Sequence, residues 1–176
     1  MSDEQTNTLK ALQIAIKMEI DGKEFYLIAS RNAGNKMGAK LLYSLALAED
    51  KHREKFIQIF GALRDKKGWP KTPLKTDGGK SLKTVFAAAT KKMAAQTSPL
   101  NEELEAVKTA MLMENKTLDF YTSLGAKATV SAEKEFYRTI AEEERMHHQA
   151  LLDYYEFLKD PAGWSIKTEH SSLDGG

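Results

Sequence analysis

Two glutamate–histidine pairs of equal spacing are the residues in this chain best suited to chemistry. In LAEDKHREKF, Leu47 to Phe56, Glu49 precedes His52 by three positions. In AEEERMHHQAL, Glu144 precedes His147 by three. Residues three apart share one face of a helix. Each pair therefore offers a carboxylate oxygen and an imidazole nitrogen to one point in space, a donor set for a divalent cation. A single pair of this kind is a weak signal, because a charged helix surface produces it by accident. Two pairs raise the question of whether they face each other across a core.

The neighbours of each pair answer it. Leu42, Leu45, Glu49, His52, Phe56, Ile59 and Leu63 step by three and four without a break, and so do Tyr137, Ile140, Glu144, His147, Leu151, Tyr154 and Leu158. Such steps trace one buried stripe on a helix. Two further stripes carry one glutamate each. They are Leu12, Ala15, Glu19, Gly22, Tyr26 and Ala29, and Val107, Ala110, Glu114, Thr117, Tyr121 and Leu124. Four carboxylates and two imidazoles are thus expected at mid-core, with no lysine or arginine on the same stripes. Burying an ionised carboxylate without a partner costs several kcal/mol, roughly. Two divalent cations balance four carboxylates, and neutral imidazoles complete the coordination. Oxygen-rich ligation with one histidine per ion suits iron or manganese better than thiolate-preferring metals. The competing reading is a metal-free polar core network.

The elements that must hold these stripes are four helices. Their expected bounds are about Asp3 to Arg31, with Ser2 and Gln5 resembling a capping box; Lys36 to Asp65, after the breaker Gly34-Asn35; Ser98-Pro99 to about Ala128; and Ser131, as N-cap, to Lys159, where Asp160-Pro161 ends it. Short turns make two antiparallel hairpins. The connection Lys66 to Thr97, in which SLKTVFAAATKKMAA has the pattern of a short helix, joins them by a long crossover. The expectation is an all-α four-helix bundle over residues 1–160 with a C-terminal tail over 161–176.

The two hairpins look like copies. An offset of 95 takes Glu19 to Glu114, Phe25-Tyr26 to Phe120-Tyr121, Glu49 to Glu144, His52 to His147, and LRDKKGW to LKDPAGW. From Leu9 to Trp69 there are fifteen identities without a gap, against roughly four expected from average composition. A shared heptad character accounts for matched leucines and alanines but not for matched Glu, His, Tyr and Trp.

Composition narrows the functional classes. The net charge is +1, so no global field favours nucleic acid or an anionic membrane. The absence of cysteine excludes disulfides, thiolate metal sites and thiol catalysis, and it fits a reducing compartment. The N-terminus is polar and no apolar run approaches a membrane span. A cytoplasmic protein is expected.

With MEIDGKEFY around Glu19, LAEDKH, MENKTLDFY around Glu114 and AEEERMH in place, the chain resembles the rubrerythrin-like branch of the ferritin-like superfamily, up to about Trp164. The resemblance implies a ferritin-like bundle holding two iron ions. Glu19 and Glu114 would be terminal or semi-bridging ligands, Glu49 and Glu144 would bridge, and His52 and His147 would each cap one ion. It also implies reduction of hydrogen peroxide or dioxygen, the four glutamates serving as the catalytic carboxylates. Rubrerythrins with a full electron-transfer apparatus carry a cysteine-ligated rubredoxin domain. Here electrons would come from another protein or from Fe(II) itself. Rubrerythrins also carry a further carboxylate one turn after the third-helix glutamate. This chain has Thr117 there, and Gly22 at the equivalent place in the first hairpin, so its six ligands are closer to the bacterioferritin pattern.

Three functions compete: a peroxide- or oxygen-reducing oxidoreductase, a ferroxidase feeding iron storage, and a regulatory module whose metal only stabilises the fold. A homodimer is expected by analogy. Tyr26 and Tyr121 have two candidate roles, hydrogen-bonding a carboxylate ligand or packing in the core, and Asp50, Glu143 and Asp153 are candidate acceptors for the outer histidine nitrogens. His148 is expected to be exposed, His170 solvated, Met18 and Met113 in the core, and Trp69 and Trp164 to cap the bundle ends, with electron transfer the competing role for the two tryptophans.

Overall fold

The structure, a computed structural model, describes residues 3–70, 82, 101–161 and 163. Its four long helices are α1 (Asp3–Asn32), α2 (Lys36–Arg64), α3 (Asn101–Lys127) and α4 (Ser131–Lys159). The described residues contain no strand, and no helix among them is long and apolar enough to cross a membrane. α1 packs along α2 and α3 along α4, and the two hairpins meet through α1 against α3 and α2 against α4. This is a ferritin-like four-helix bundle.

Local chemistry sets the turns. Asn35 is extended, and its side-chain oxygen accepts from the Gly38 N–H at 2.8 Å, satisfying one of the unpaired donors at the start of α2. At the end of α2 the Lys67 N–H reaches back to the Ala62 carbonyl at 2.9 Å, with Lys66 in the left-handed region at φ 58°. The second copy has Pro161 in place of Lys66, and proline cannot take that φ. The two hairpins therefore leave their last helices differently. There the Asp160 side chain accepts from the Gly163 N–H at 2.9 Å. The expectation that Ser131 caps α4 is not met. Val130 holds the cap position without a side-chain hydrogen bond, and Ser131 is the first helical residue. Gln5 donates to the Leu63 carbonyl at 3.2 Å, pinning the start of α1 to the end of α2. Ser2, the proposed start at Ser98-Pro99, most of the 81–95 segment, Trp164 and the tail from 164 onward lie outside the described residues. Leu82 is described, and it is buried in the core.

The core has two apolar ends. One is built on Tyr26, Leu41, Leu42, Leu45, Leu151 and Tyr154. The other is built on Leu12, Phe56, Ile59, Tyr121, Phe136 and Tyr137. Full burial of such a side chain contributes about 1.5–3 kcal/mol, and the two ends together offset a polar middle. The first end is also tied by hydrogen bonds. Glu103 on α3 accepts from the Gly34 N–H at 3.0 Å and from the Tyr154 hydroxyl, which in turn accepts from Asn35 Nδ2 at 2.8 Å. Gly38 is required beside this knot, since a Cβ there would stand 1.9 Å from the Tyr154 oxygen.

Candidate metal centre

All six residues singled out from the spacing lie in the polar middle. Glu19 and Glu144 are 0% exposed, His52 is 1%, and Glu49, Glu114 and His147 are 3%. Each helix delivers its share because the three- and four-residue steps keep one face inward over several turns. Leu63, Thr117 and Leu124 are the members of the four stripes that are only half-buried.

The side chains form two ligand groups. One is Glu19, Glu49, His52 and Glu144; the other is Glu49, Glu114, Glu144 and His147. Within each group one donor atom per residue lies within 4.8 Å of all the others. Glu49 and Glu144 belong to both groups, and each histidine belongs to one. His52 Nδ1 stands 3.5 Å from Glu19 Oε2 and 3.2 Å from Glu144 Oε1. His147 Nδ1 stands 3.3 Å from Glu49 Oε1, 3.7 Å from Glu114 Oε2 and 3.4 Å from Glu144 Oε2. The two imidazole rings stack at 5.6 Å.

A metal pair fits this donor set, on one observation above others. Glu19 Oε2, Glu49 Oε1, Glu144 Oε1 and both Nδ1 atoms are fully buried, yet none makes a hydrogen bond. Buried polar atoms in proteins are nearly always satisfied. Five that converge on common points without hydrogen bonds form a donor set suited to divalent cations.

The outer atoms of Glu114, Glu19 and His52, in contrast, are hydrogen-bonded. Tyr26 on α1 donates to Glu114 Oε1 on α3, and Tyr121 on α3 donates to Glu19 Oε1 on α1. Both tyrosines therefore bond a carboxylate, one of the two roles their spacing allowed, and each does so on the opposite hairpin. His52 Nε2 stands 3.1 Å from Glu143 Oε2, so Glu143 is the acceptor among the three considered. Asp50 is occupied by Lys23 and Arg53, and Asp153 by Gln149. Thr117 Oγ1 reaches Glu144 Oε2 at 3.5 Å. Opposite it, a Cβ at Gly22 would stand 3.1 Å from Glu49 Oε2.

Without metal the cluster carries protons instead. Burial, followed by the Glu19, Glu144 and Glu114 carboxylates, holds the Glu49 carboxyl well above its usual range. Burial and Glu144 push Glu114 up to about 8. Burial disfavours charge on His52 and His147, but the surrounding carboxylates outweigh it and hold both well above the ordinary imidazole value. Glu144 also feels burial, yet the two imidazoles flanking it draw it well below the usual carboxylate range. In the metal-free centre these shifts favour charge on Glu144 and on the two imidazoles flanking it, and protons on Glu49 and Glu114.

Three smaller expectations change. His148 is half-buried rather than exposed, and belongs to neither ligand group. Met18 and Met113 are half-buried, at the margin of the core. Glu103 was not anticipated, although it lies four residues before Val107 on the α3 stripe and extending that stripe one step would have found it.

Four helices in two duplicated hairpins, enclosing paired Glu-x-x-His motifs and two partner glutamates, define a ferritin-like bundle with a buried carboxylate–histidine cluster whose donors fall into two groups. The rubrerythrin family model matches residues 10–155, and the chain belongs to the rubrerythrin family. No curated protein and no solved structure matches it.

Proposed function

We propose that this chain is a non-haem di-iron oxidoreductase that reduces hydrogen peroxide, or dioxygen, at the cluster of Glu19, Glu49, His52, Glu114, Glu144 and His147. The observation that carries the proposal is the set of five buried donor atoms without hydrogen bonds, in two groups that share Glu49 and Glu144. Glu19, Glu49, His52 and Glu144 would hold one ion and Glu49, Glu114, Glu144 and His147 the other, with Glu49 and Glu144 common to both and each histidine offering Nδ1 to one. Iron is favoured over manganese by the family. Bound there, the two ions supply the two electrons that peroxide or dioxygen accepts. The protein's own groups do the rest. Tyr26 and Tyr121 hold protons at Glu114 Oε1 and Glu19 Oε1, and orient those carboxylates for their ions. Glu143 fixes the ring plane of His52. The apolar ends keep bulk water from the centre.

An external electron-donor protein, a cytoplasmic setting and a homodimer belong to the same proposal. Ile14 and Ile28 on α1, with Tyr43, Leu47 and Ile57 on α2, leave apolar surface on the first hairpin for a second copy.

The test is metal content per chain after anaerobic loading with Fe(II), followed by peroxide with an optical readout. Two irons per chain that are oxidised faster by peroxide than by oxygen support the reading. No stoichiometric metal overturns it. Two irons without turnover would make the chain a metal-stabilised module. A second reading, ferroxidase, is favoured by Thr117 and Gly22, which leave the centre without a fifth carboxylate. It predicts faster reaction with oxygen and continued iron accumulation.

A further inference from the structure

The two apolar ends of the bundle differ in kind. Behind Tyr26 the packing is largely aliphatic, with Leu41, Leu42 and Leu151. Behind Tyr121 the copied positions hold Phe136, Tyr137 and Phe56. Trp69, just past the end of α2, closes this end, and it is only partly buried. Its ring lies 5.7 Å from that of Tyr137 and 5.8 Å from that of Phe136, centroid to centroid. Tyr137 in turn stacks on Tyr121 at 6.5 Å and 18°. The Tyr121 hydroxyl donates to Glu19, a residue of the metal cluster. Continuous rings therefore run from partly exposed indole to the centre on one side of the pseudo-symmetric bundle.

We propose that Trp69, Tyr137 and Tyr121 form a one-electron relay between the surface and the carboxylate–histidine cluster. The proposal rests on the redox reading of that cluster and supplies the route by which an external donor reaches it. Tunnelling falls off exponentially with distance, so edge-to-edge rings carry an electron where a single jump through aliphatic packing is slow. Hydrogen peroxide at the cluster, the oxidant of the proposed function, takes an electron from Tyr121 while the Tyr121 hydroxyl proton passes to Glu19 Oε1; two such turns, with two protons from solvent, reduce one peroxide to two waters. An electron arriving from Trp69 restores the phenol, and the proton returns. Trp69 is left as an indole radical cation, and a one-electron redox protein outside the bundle reduces it. The Tyr137 hydroxyl is buried and has no hydrogen-bond partner among the described residues. With nowhere to send a proton it acts as a bridge, not a carrier.

Aromatic packing alone accounts for the stability of such a cluster, so the test must read electron movement. The chain has two tryptophans, and Trp164→Phe leaves Trp69 as the sole indole. Metal-free protein of this background is oxidised with a flash-generated ruthenium(III) polypyridyl complex and followed by transient absorption. The relay predicts a concentration-independent decay of the indole radical matched by the rise of a phenoxyl radical. Adding Tyr121→Phe should abolish the matched phenoxyl rise, and adding Tyr137→Leu, which copies Leu42 of the first hairpin, should slow it at least about tenfold. Tyr137→Phe, which keeps the ring, should leave the rate unchanged. A phenoxyl signal that persists at full yield in Tyr121→Phe overturns the proposal, as does an unchanged rate in folded Tyr137→Leu. Tyr121→Phe decides the matter even if Tyr137→Leu does not fold. Because the protein carries no metal here, failure of the relay is separate from failure of the di-iron reading, which shows in metal content.

Discussion

Tyr26 on α1 donates its hydroxyl to Glu114 on α3, and the copied pair, Tyr121 and Glu19, repeats the bond in the opposite direction. Neither tyrosine bonds the glutamate of its own helix. The two hydrogen bonds cross the junction between hairpins, where helix contact is sparser than within each hairpin. They set the depth at which the hairpins dock, and so the separation of the terminal carboxylates.

Replacing Tyr26 with phenylalanine keeps the ring and removes this donor. Glu114 Oε1 is then buried with its partner gone, a loss of about 1–3 kcal/mol. Denaturant unfolding of the metal-free variant should show that decrease. Tyr121→Phe should behave alike by symmetry. Stabilities within about 0.5 kcal/mol of the parent would mean that the phenols only fill space.

The protonation pattern predicts opposite pH responses for metal-free and loaded protein. Burial holds the folded-state values of Glu49 and Glu114 above the ordinary carboxylate value, Glu114 at about 8. In the unfolded chain both lose their protons earlier, so their contribution becomes unfavourable as pH rises from the carboxylate range toward about 8. His52 and His147 are held above the free imidazole value. Their stabilisation is fully present below about 6.5 and is lost as pH rises through the folded values. Glu144, with its lowered value, stabilises above the ordinary carboxylate range and is lost only on acidification. The midpoint of thermal unfolding of metal-free protein should therefore fall between about pH 6 and about pH 8. Metal uptake must expel these protons, so affinity should rise over the same window, with acid released on loading. A metal-free midpoint that climbs across this range would show that the protons reside elsewhere.

The centre was legible in the sequence because a helix buried over many turns writes a three-and-four pattern that tolerates no error. Glu49 between Leu45 and Phe56, or Glu144 between Ile140 and Leu151, has only one place to point. The offset of 95 then paired the helices. What the pattern could not carry is how one stripe sits against another. The crossing of Tyr26 to Glu114, the choice of Glu143 over Asp50 for His52, and the Glu103–Tyr154–Asn35 knot all depend on hairpin docking. The cap at Val130 escaped for a different reason. Residue preference for serine at a cap is weak beside the tertiary placement of a short turn.

Docking also breaks the symmetry of the two ligand groups. Glu143 accepts from His52 at 3.1 Å, whereas the position 95 residues before it, Ala48, has no side-chain acceptor to offer His147. Glu143→Gln should weaken one of the two ions by roughly 10–100-fold and leave the other nearly unchanged. Titration with Fe(II) or Mn(II) would then resolve into two steps where the parent shows closer affinities. Equal weakening of both ions would mean that Glu143 acts through the general field of the cluster and not through the ring of His52.

Gly22 separates the needs of the fold from those of the centre. It is a glycine in the interior of α1, where alanine is favoured by about 1 kcal/mol on helix propensity. Its place is buried, and an added methyl would sit 3.1 Å from Glu49 Oε2, 3.4 Å from its carboxyl carbon and 3.6 Å from Cγ. These contacts are tight enough to push the carboxylate by a few tenths of an ångström, and Glu49 is shared by both ligand groups. Gly22→Ala should leave the metal-free protein as stable as the parent or slightly more so, while lowering the affinity for both ions together. Paired measurements, thermal unfolding without metal and stoichiometric loading with it, read the two effects separately. If loading is unaffected, Glu49 has room to retreat without losing its bridging position. If both quantities fall, the methyl is meeting the helix packing itself, and the glycine is there for α1 against its neighbours and not for the centre.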